Sequence, residues 1–257
     1  MLTPPEIARS LLAVGESKAR LPLGKMLLLA ILAGAYIALA GVGATAAAVT
    51  VESGSLAKLL SACVFPAGLS MVILAGSELF TGNCLMVMAL LERRITPVQL
   101  LRNWLTVYLG NAVGGAAVAA LAVYSHTASL FGDGLARSMV SIAESKAALG
   151  AGDAFLRGVL CNFLVCLAVW MAAASKRAEG KVIALFFPIL LFVLCGYEHC
   201  IANLYYLPAG AFAAAEYGVE TTLTLAGCLE NLAAVTLGNL VGGAALGVGY
   251  RFAYLKE

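Results

Sequence analysis

LGNAVGGAA, residues 109–117, returns as LGNLVGGAA, residues 237–245; eight of the nine positions match, and the copies lie 128 residues apart in a chain of 257. A repeat spaced by half the chain says that two halves are built alike. Gly110 and Gly114 in the first copy, and Gly238 and Gly242 in the second, are one helical turn apart. Small residues at that spacing let helix backbones approach closely. Packing is therefore the work expected of them, and no chemistry is assigned to them.

Outward from the repeat, the composition names the solvent. The chain is 62% hydrophobic and only 12% charged, against roughly 25% charged residues in a soluble domain. Such a chain cannot cover a water-facing surface, so an all-α integral membrane protein is expected. Apolar runs at 26–49, 57–90, 101–124, 157–175, 181–212 and 225–250 read as six crossings. The second and fifth are too long for one straight helix. Each carries polar residues partway: SELFTGN (77–83) in the second and GYEHCIAN (196–203) in the fifth.

Lysines and arginines then sort by side. Arg9, Lys18, Arg20, Lys25, Arg93, Arg94, Arg102, Lys176, Arg177, Lys181, Arg251 and Lys256 fall on one side of a six-span chain, leaving Lys58, Arg137, Lys146 and Arg157 on the other. By the positive-inside rule both termini are cytoplasmic. Three crossings per half is an odd number, so the second half is inverted relative to the first. Paired interrupted helices in inverted repeats place a substrate path near the midplane. Irregular backbone survives there only where it lines a cavity or is buried in protein. The expected layout is one transmembrane domain over 1–257, with an amphipathic N-terminal helix at 1–22, a first repeat at 26–124 and an inverted second repeat at 157–250.

The polar residues at the two interruptions are the candidate site. Glu78, Glu198 and Asn203 are expected to brace the breaks, the two carboxylates by accepting hydrogen bonds from freed backbone N–H groups, which need partners; for the carboxylates, direct contact with substrate or proton is the alternative. His199, with Tyr197 and Asn203 close in sequence, is the intramembrane imidazole, a group that changes charge near neutral pH. Thr81, on the other break, either orients the same substrate, hydrogen-bonds His199 or merely caps its loop. Phe65, Leu69, Val165 and Phe192 are apolar residues near the breaks, read either as core or as rings that gate by dewetting. Lys146, in ESKAALGAGD (144–153), reads as a solvated loop charge or as one that draws anions to the outer mouth. His126 is expected to face solvent without a function.

Seven cysteines (63, 84, 161, 166, 195, 200 and 228) form no CxxC pair and read as small apolar residues. No metal, cofactor or nucleic-acid partner is expected, and one intramembrane histidine with scattered thiols does not make an enzyme site. A water or neutral-solute channel of similar shape is a further reading, although paired NPA motifs are absent.

LAGSELFTGN (74–83), RGVLCNFLVCLAVWMA (157–172) and GYEHCIAN (196–203) closely resemble the formate/nitrite transporter family, and the similarity extends across all six spans. The resemblance implies an aquaporin-like fold and a homopentamer in the cytoplasmic (inner) membrane of a prokaryote, with a pore in each protomer. It implies passage of small monovalent anions or their conjugate acids, with protons: formate, nitrite or hydrosulfide. By the same resemblance, His199 is the central histidine, Thr81 the threonine of the loop in span two, and Lys146 the vestibule lysine. Asn162 is the span-four asparagine, Phe65, Leu69, Val165 and Phe192 the constrictions, and Glu198 the glutamate before the histidine. Cys200 stands where many members carry serine.

Overall fold

The computed structural model describes residues 1–256, all of them helix, turn or short connection. Helix α1 (Pro4–Ala19) is followed by α2 (Leu23–Ala48). A segmented run comes next: α3 (Gly54–Val64), α4 (Pro66–Ala75), the single turn α5 (Phe80–Asn83) and α6 (Val87–Leu91), then the long α7 (Pro97–Tyr124). The second half runs α8 (Gly134–Ala147), α9 (Ala151–Ala173), α10 (Ala178–Leu194), α11 (Cys200–Tyr217) and α12 (Leu225–Tyr254).

Local sequence explains the boundaries. Thr96 accepts from the Gln99 N–H at 3.2 Å while the Gln99 side chain takes the Thr96 N–H at 2.8 Å, a capping box with Pro97 as first helical residue. Its counterpart 128 residues on, Thr224, caps α12 through the Gly227 N–H at 3.1 Å. At the two breaks Gly76 (φ 78°) and Gly196 (φ 69°) hold the left-handed conformation that lets each helix stop abruptly.

Among the described residues, Leu23–Ala48, Gly54–Ala75, Pro97–Tyr124, Ala151–Ala173 and Leu225–Tyr254 are long and apolar enough to cross a membrane. The stretch expected as a fifth crossing is divided between α10, of 17 residues, and α11, of 18. The exposed surface is itself apolar, as along α7, where Leu101, Leu105, Leu109, Val113 and Leu121 face outward. That is the inverse of a soluble protein's exterior and suits a lipid or protein neighbour.

The repeat glycines sit where two helix pairs touch. A Cβ on Gly114 would lie 2.0 Å from the Ile31 carbonyl oxygen, packing α7 on α2; one on Gly242 would lie 2.0 Å from the Val159 carbonyl oxygen, packing α12 on α9. Ile31 and Val159 are again 128 residues apart. The repeat is also larger than 26–124 and 157–250. Helix α8 stands where a loop was expected, and its LARSMVSIAESKA (135–147) matches IARSLLAVGESKA (7–19) of α1 at the same 128-residue offset. Each half is therefore an amphipathic helix followed by its apolar helices.

Candidate functional site

The two breaks meet in the core and are held by matched hydrogen bonds. In the first half, Asn111 accepts the Phe80 N–H at 3.0 Å and donates to the carbonyls of Ala30 (2.7 Å) and Glu78 (2.9 Å). In the second, Asn239 accepts the Cys200 N–H at 2.9 Å and donates to the carbonyls of Gly158 (2.8 Å) and Glu198 (2.9 Å). These asparagines are fully buried and belong to the LGN motif, whose glycines are the packing residues expected from the sequence and whose asparagines were given no role there. The signal was present: a polar residue kept in both copies of an otherwise apolar motif.

The carboxylates do something other than expected. Glu78 and Glu198 take side-chain donors, not the freed backbone N–H groups: at each break one N–H goes to the asparagine, and that of the glutamate itself goes to a carbonyl, Leu29 at 3.2 Å or Arg157 at 3.3 Å. Glu78 accepts from Lys18 Nζ at 2.7 Å and Asn83 Nδ2 at 2.7 Å. Glu198 accepts from Lys146 Nζ at 2.9 and 3.0 Å, one bond to each oxygen, and from Asn203 Nδ2 at 2.7 Å. Asn83 and Asn203 donate in turn to Asn103 and Asn231 at 2.9 and 2.8 Å. Each break is thus buttressed by a lysine, a glutamate and two asparagines. Lys146 lies in the last turn of α8 and is paired, so it is not a free loop charge. Lys18 plays its part in the first half, and the recurring ESKA tetrapeptide (16–19 and 144–147) would have revealed it.

His199 and Thr81 break the symmetry. Around the breaks the halves align at a spacing of 120 (Glu78 with Glu198, Asn83 with Asn203), which makes their counterparts Leu79 and Ile201. His199 Nε2 lies 2.9 Å from Thr81 Oγ1, joining the two breaks, and both residues are buried. Its Nδ1 accepts the Ala202 N–H at 3.1 Å, making the imidazole the N-cap of α11. That bond fixes the tautomer: Nδ1 is the acceptor, so the proton sits on Nε2 and is donated to Thr81, whose own hydroxyl hydrogen stays available. Asn162 donates to the Thr81 carbonyl at 3.2 Å and the Asn239 carbonyl at 2.7 Å, tying the first break to α12. The Cys166 thiol also points at the Thr81 carbonyl, 3.3 Å away. Of the cysteines, Cys84, Cys161, Cys166 and Cys200 are buried, whereas Cys63 and Cys195 are exposed on the apolar surface. His126 is exposed, in a turn at φ 58°.

Two chambers approach this point. One, of about 600 Å³, lies beside α1 and reaches Leu69, Val72 and Glu78; Val72 was not singled out by sequence, yet it is the repeat counterpart of Phe192. The other, of about 350 Å³, lies beside α8 and reaches Phe65, Phe192, Glu198 and His199. Phe65 and Phe192 meet edge to face at 5.6 Å, and Phe192 stacks on the His199 ring at 5.8 Å. Leu69 and Val165 pack in the same buried cluster, though Val165 lines neither chamber. A polar pair, one residue from each break, sits amid apolar side chains with a recess on either hand.

The formate/nitrite transporter family profile matches residues 5–253. The chain belongs to that family. It is 39% identical to the probable formate transporter of Methanothermobacter thermautotrophicus over 99% of this chain and 98% of that one. It is 39% identical to the formate channel FocA of Haemophilus influenzae over 86% and 83% of the two chains. Among solved structures, an FNT family ion channel superposes with TM-score 0.87 at 32% identity, covering 96% of this chain and 98% of that one. A pentameric formate channel with formate bound superposes with TM-score 0.80 at 32% identity, over 91% and 98%. The protein is accordingly a multi-pass membrane protein of a channel and transporter family.

Proposed function

We propose that this protein is a homopentameric channel of a prokaryotic cytoplasmic membrane that passes formate, and related small monovalent anions, as anion or conjugate acid. In this reading each protomer crosses the membrane six times as two inverted repeats, with the second and fifth crossings broken and both termini cytoplasmic. Helix α1 and its chamber then face the cytoplasm, and α8 and its chamber face outward. The formate-named relatives support the substrate, and the His199–Thr81 contact at 2.9 Å between the two chambers carries the mechanism.

An anion entering from either chamber loses water beside Phe65, Phe192, Leu69 and Val72, which is costly for a charge and mild for a neutral acid. At the breaks the Nε2–H of His199 and the hydroxyl of Thr81 replace part of the lost hydration. At lower pH the ring takes a second proton on Nδ1, giving up the Ala202 N–H, and its Nε2 proton passes to the anion, which crosses as the neutral acid. The test is formate flux into proteoliposomes across a range of pH from about 5 to 8, which spans the ordinary histidine value and rising availability of protons. His199→Asn keeps an N-cap acceptor and an N–H donor but carries no mobile proton. It is expected to conduct formate while losing the rise of uptake at low pH. A wild-type pH profile in this variant would refute the histidine's role. Nitrite and hydrosulfide in the same assay rank the remaining substrates, and water-only swelling would return the neutral-solute reading.

A further inference from the structure

Both chambers share one charge pattern, built from different residues. The α1-side chamber is lined by Lys18, Lys25 and Lys181 with Glu78 as its carboxylate; the α8-side chamber by Lys58, Lys146 and Arg157 with Glu198. In each, one lysine is consumed by the glutamate, Lys18 by Glu78 at 2.7 Å and Lys146 by Glu198 at 2.9 Å. Two cations remain in each chamber. Lys25 and Lys181, like Lys58 and Arg157, have no acidic side chain within ion-pair distance among the described residues, where six ion pairs occur elsewhere.

The free cations lie on repeat-equivalent helices but not at equivalent positions. Lys25 opens α2, and Arg157 stands on α9, its counterpart; the position matching Lys25 is Asp153, one turn before Arg157. Lys181 is in the first turn of α10, and Lys58 on α3, its counterpart; the position matching Lys181 is Ser61, one turn after Lys58. The same arrangement thus arises twice out of register, which shared ancestry of the halves alone would not produce.

We infer that the unpaired pairs Lys58/Arg157 and Lys25/Lys181 are the residues that concentrate and admit the anion at the two mouths, while Lys146 and Lys18 hold the breaks. This rests on the anion-channel reading above and on its orientation. In water a unit charge roughly 8 Å away raises a monovalent anion's local concentration about two- to threefold at low salt. Removing both free cations of a mouth should therefore lower entry there about fivefold at about 10 mM ionic strength, an effect that largely vanishes near 1 M as the screening length falls to about 3 Å.

The experiment is initial formate flux in each direction across proteoliposomes with protein of known sidedness. The Lys58→Gln/Arg157→Gln variant is expected to raise the half-saturating concentration for uptake through the α8-side mouth about fivefold at low salt, with unchanged maximal rate. The Lys25→Gln/Lys181→Gln variant should do the same for entry from the other side. Lys146→Gln should lower the melting temperature and the maximal rate without changing the salt slope. The inference is overturned if the two double variants keep the wild-type salt slope, if their loss is the same at every ionic strength, or if Lys146→Gln alone abolishes the slope. Absence of wild-type formate flux would instead overturn the functional reading, so the two failures are distinct.

Discussion

Replacing Asn239 by alanine removes three hydrogen bonds from one fully buried side chain. Their partners differ in what they lose. The Gly158 carbonyl lies inside α9 and keeps its own helical bond. The Cys200 N–H and the Glu198 carbonyl stand at the break, where Asn239 is their only partner among the described residues. Two orphaned buried backbone groups at about 1–3 kcal/mol each sum to roughly 4 kcal/mol. For a chain of this size that is about 8–16 °C in melting midpoint, at about 2–4 °C per kcal/mol. Thermal unfolding of the detergent-solubilised protein, followed by intrinsic fluorescence, reads it directly. Asn111→Ala removes the same set on the other break, bonds to Phe80, Ala30 and Glu78, and should cost about as much. If either variant melted within about 2 °C of the wild type, corresponding to under about 1 kcal/mol, and conducted formate normally, the asparagines would not be what holds the breaks.

Gly114→Ala and Gly242→Ala each drive a methyl to within 2.0 Å of a carbonyl oxygen on the facing helix; separation of α7 from α2 or α12 from α9 should cost about 1–3 kcal/mol or more, read as a lowered melting midpoint. Outside the membrane, Glu144 accepts from the Thr222 N–H at 2.6 Å and from the hydroxyls of Thr221 and Thr222, and these bonds hold its carboxyl below the usual value of 4.5. A depressed carboxylate stabilises above its unfolded value and loses that stabilisation as pH falls through its folded one. Amide-exchange protection in the 219–224 connection, taken relative to the intrinsic rate at each pH, should therefore fall only below about pH 4.5, with Glu144→Gln already lacking it at neutral pH.

The apolar helices and the two interruptions were legible because each leaves a local trace, an apolar run or a polar stretch within it; the His199–Thr81 hydrogen bond was one of three readings that the position of Thr81 allowed. The partners of Glu78 and Glu198 were not legible. A carboxylate beside freed N–H groups is a reasonable hydrogen-bond acceptor for them, and nothing within the break says that Asn111 and Asn239, 33 and 41 residues away in the chain, arrive first. Lys18 was overlooked for a related reason. Its helix is amphipathic and precedes the apolar runs, so counting spans set it aside, while Lys146 drew attention as a charge just outside span four. Comparison of the halves beyond the LGN motif would have recovered both, since Glu16, Lys18 and Thr96 have identical counterparts in Glu144, Lys146 and Thr224.

The kinship of α1 with α8 changes what an N-terminal deletion reports. Cutting away residues before Leu23 would resemble trimming a lid, yet it extracts the ammonium that Glu78 and Asn83 share at 2.7 and 2.8 Å. The first half would be left with a buried carboxylate that has lost its cation and keeps only the Asn83 amide, while the second half kept its complement. Loss of transport in such a truncation would measure a wounded scaffold, and a charge-neutral partner substitution, Glu78→Gln, would be needed before the helix could be credited with opening or closing anything.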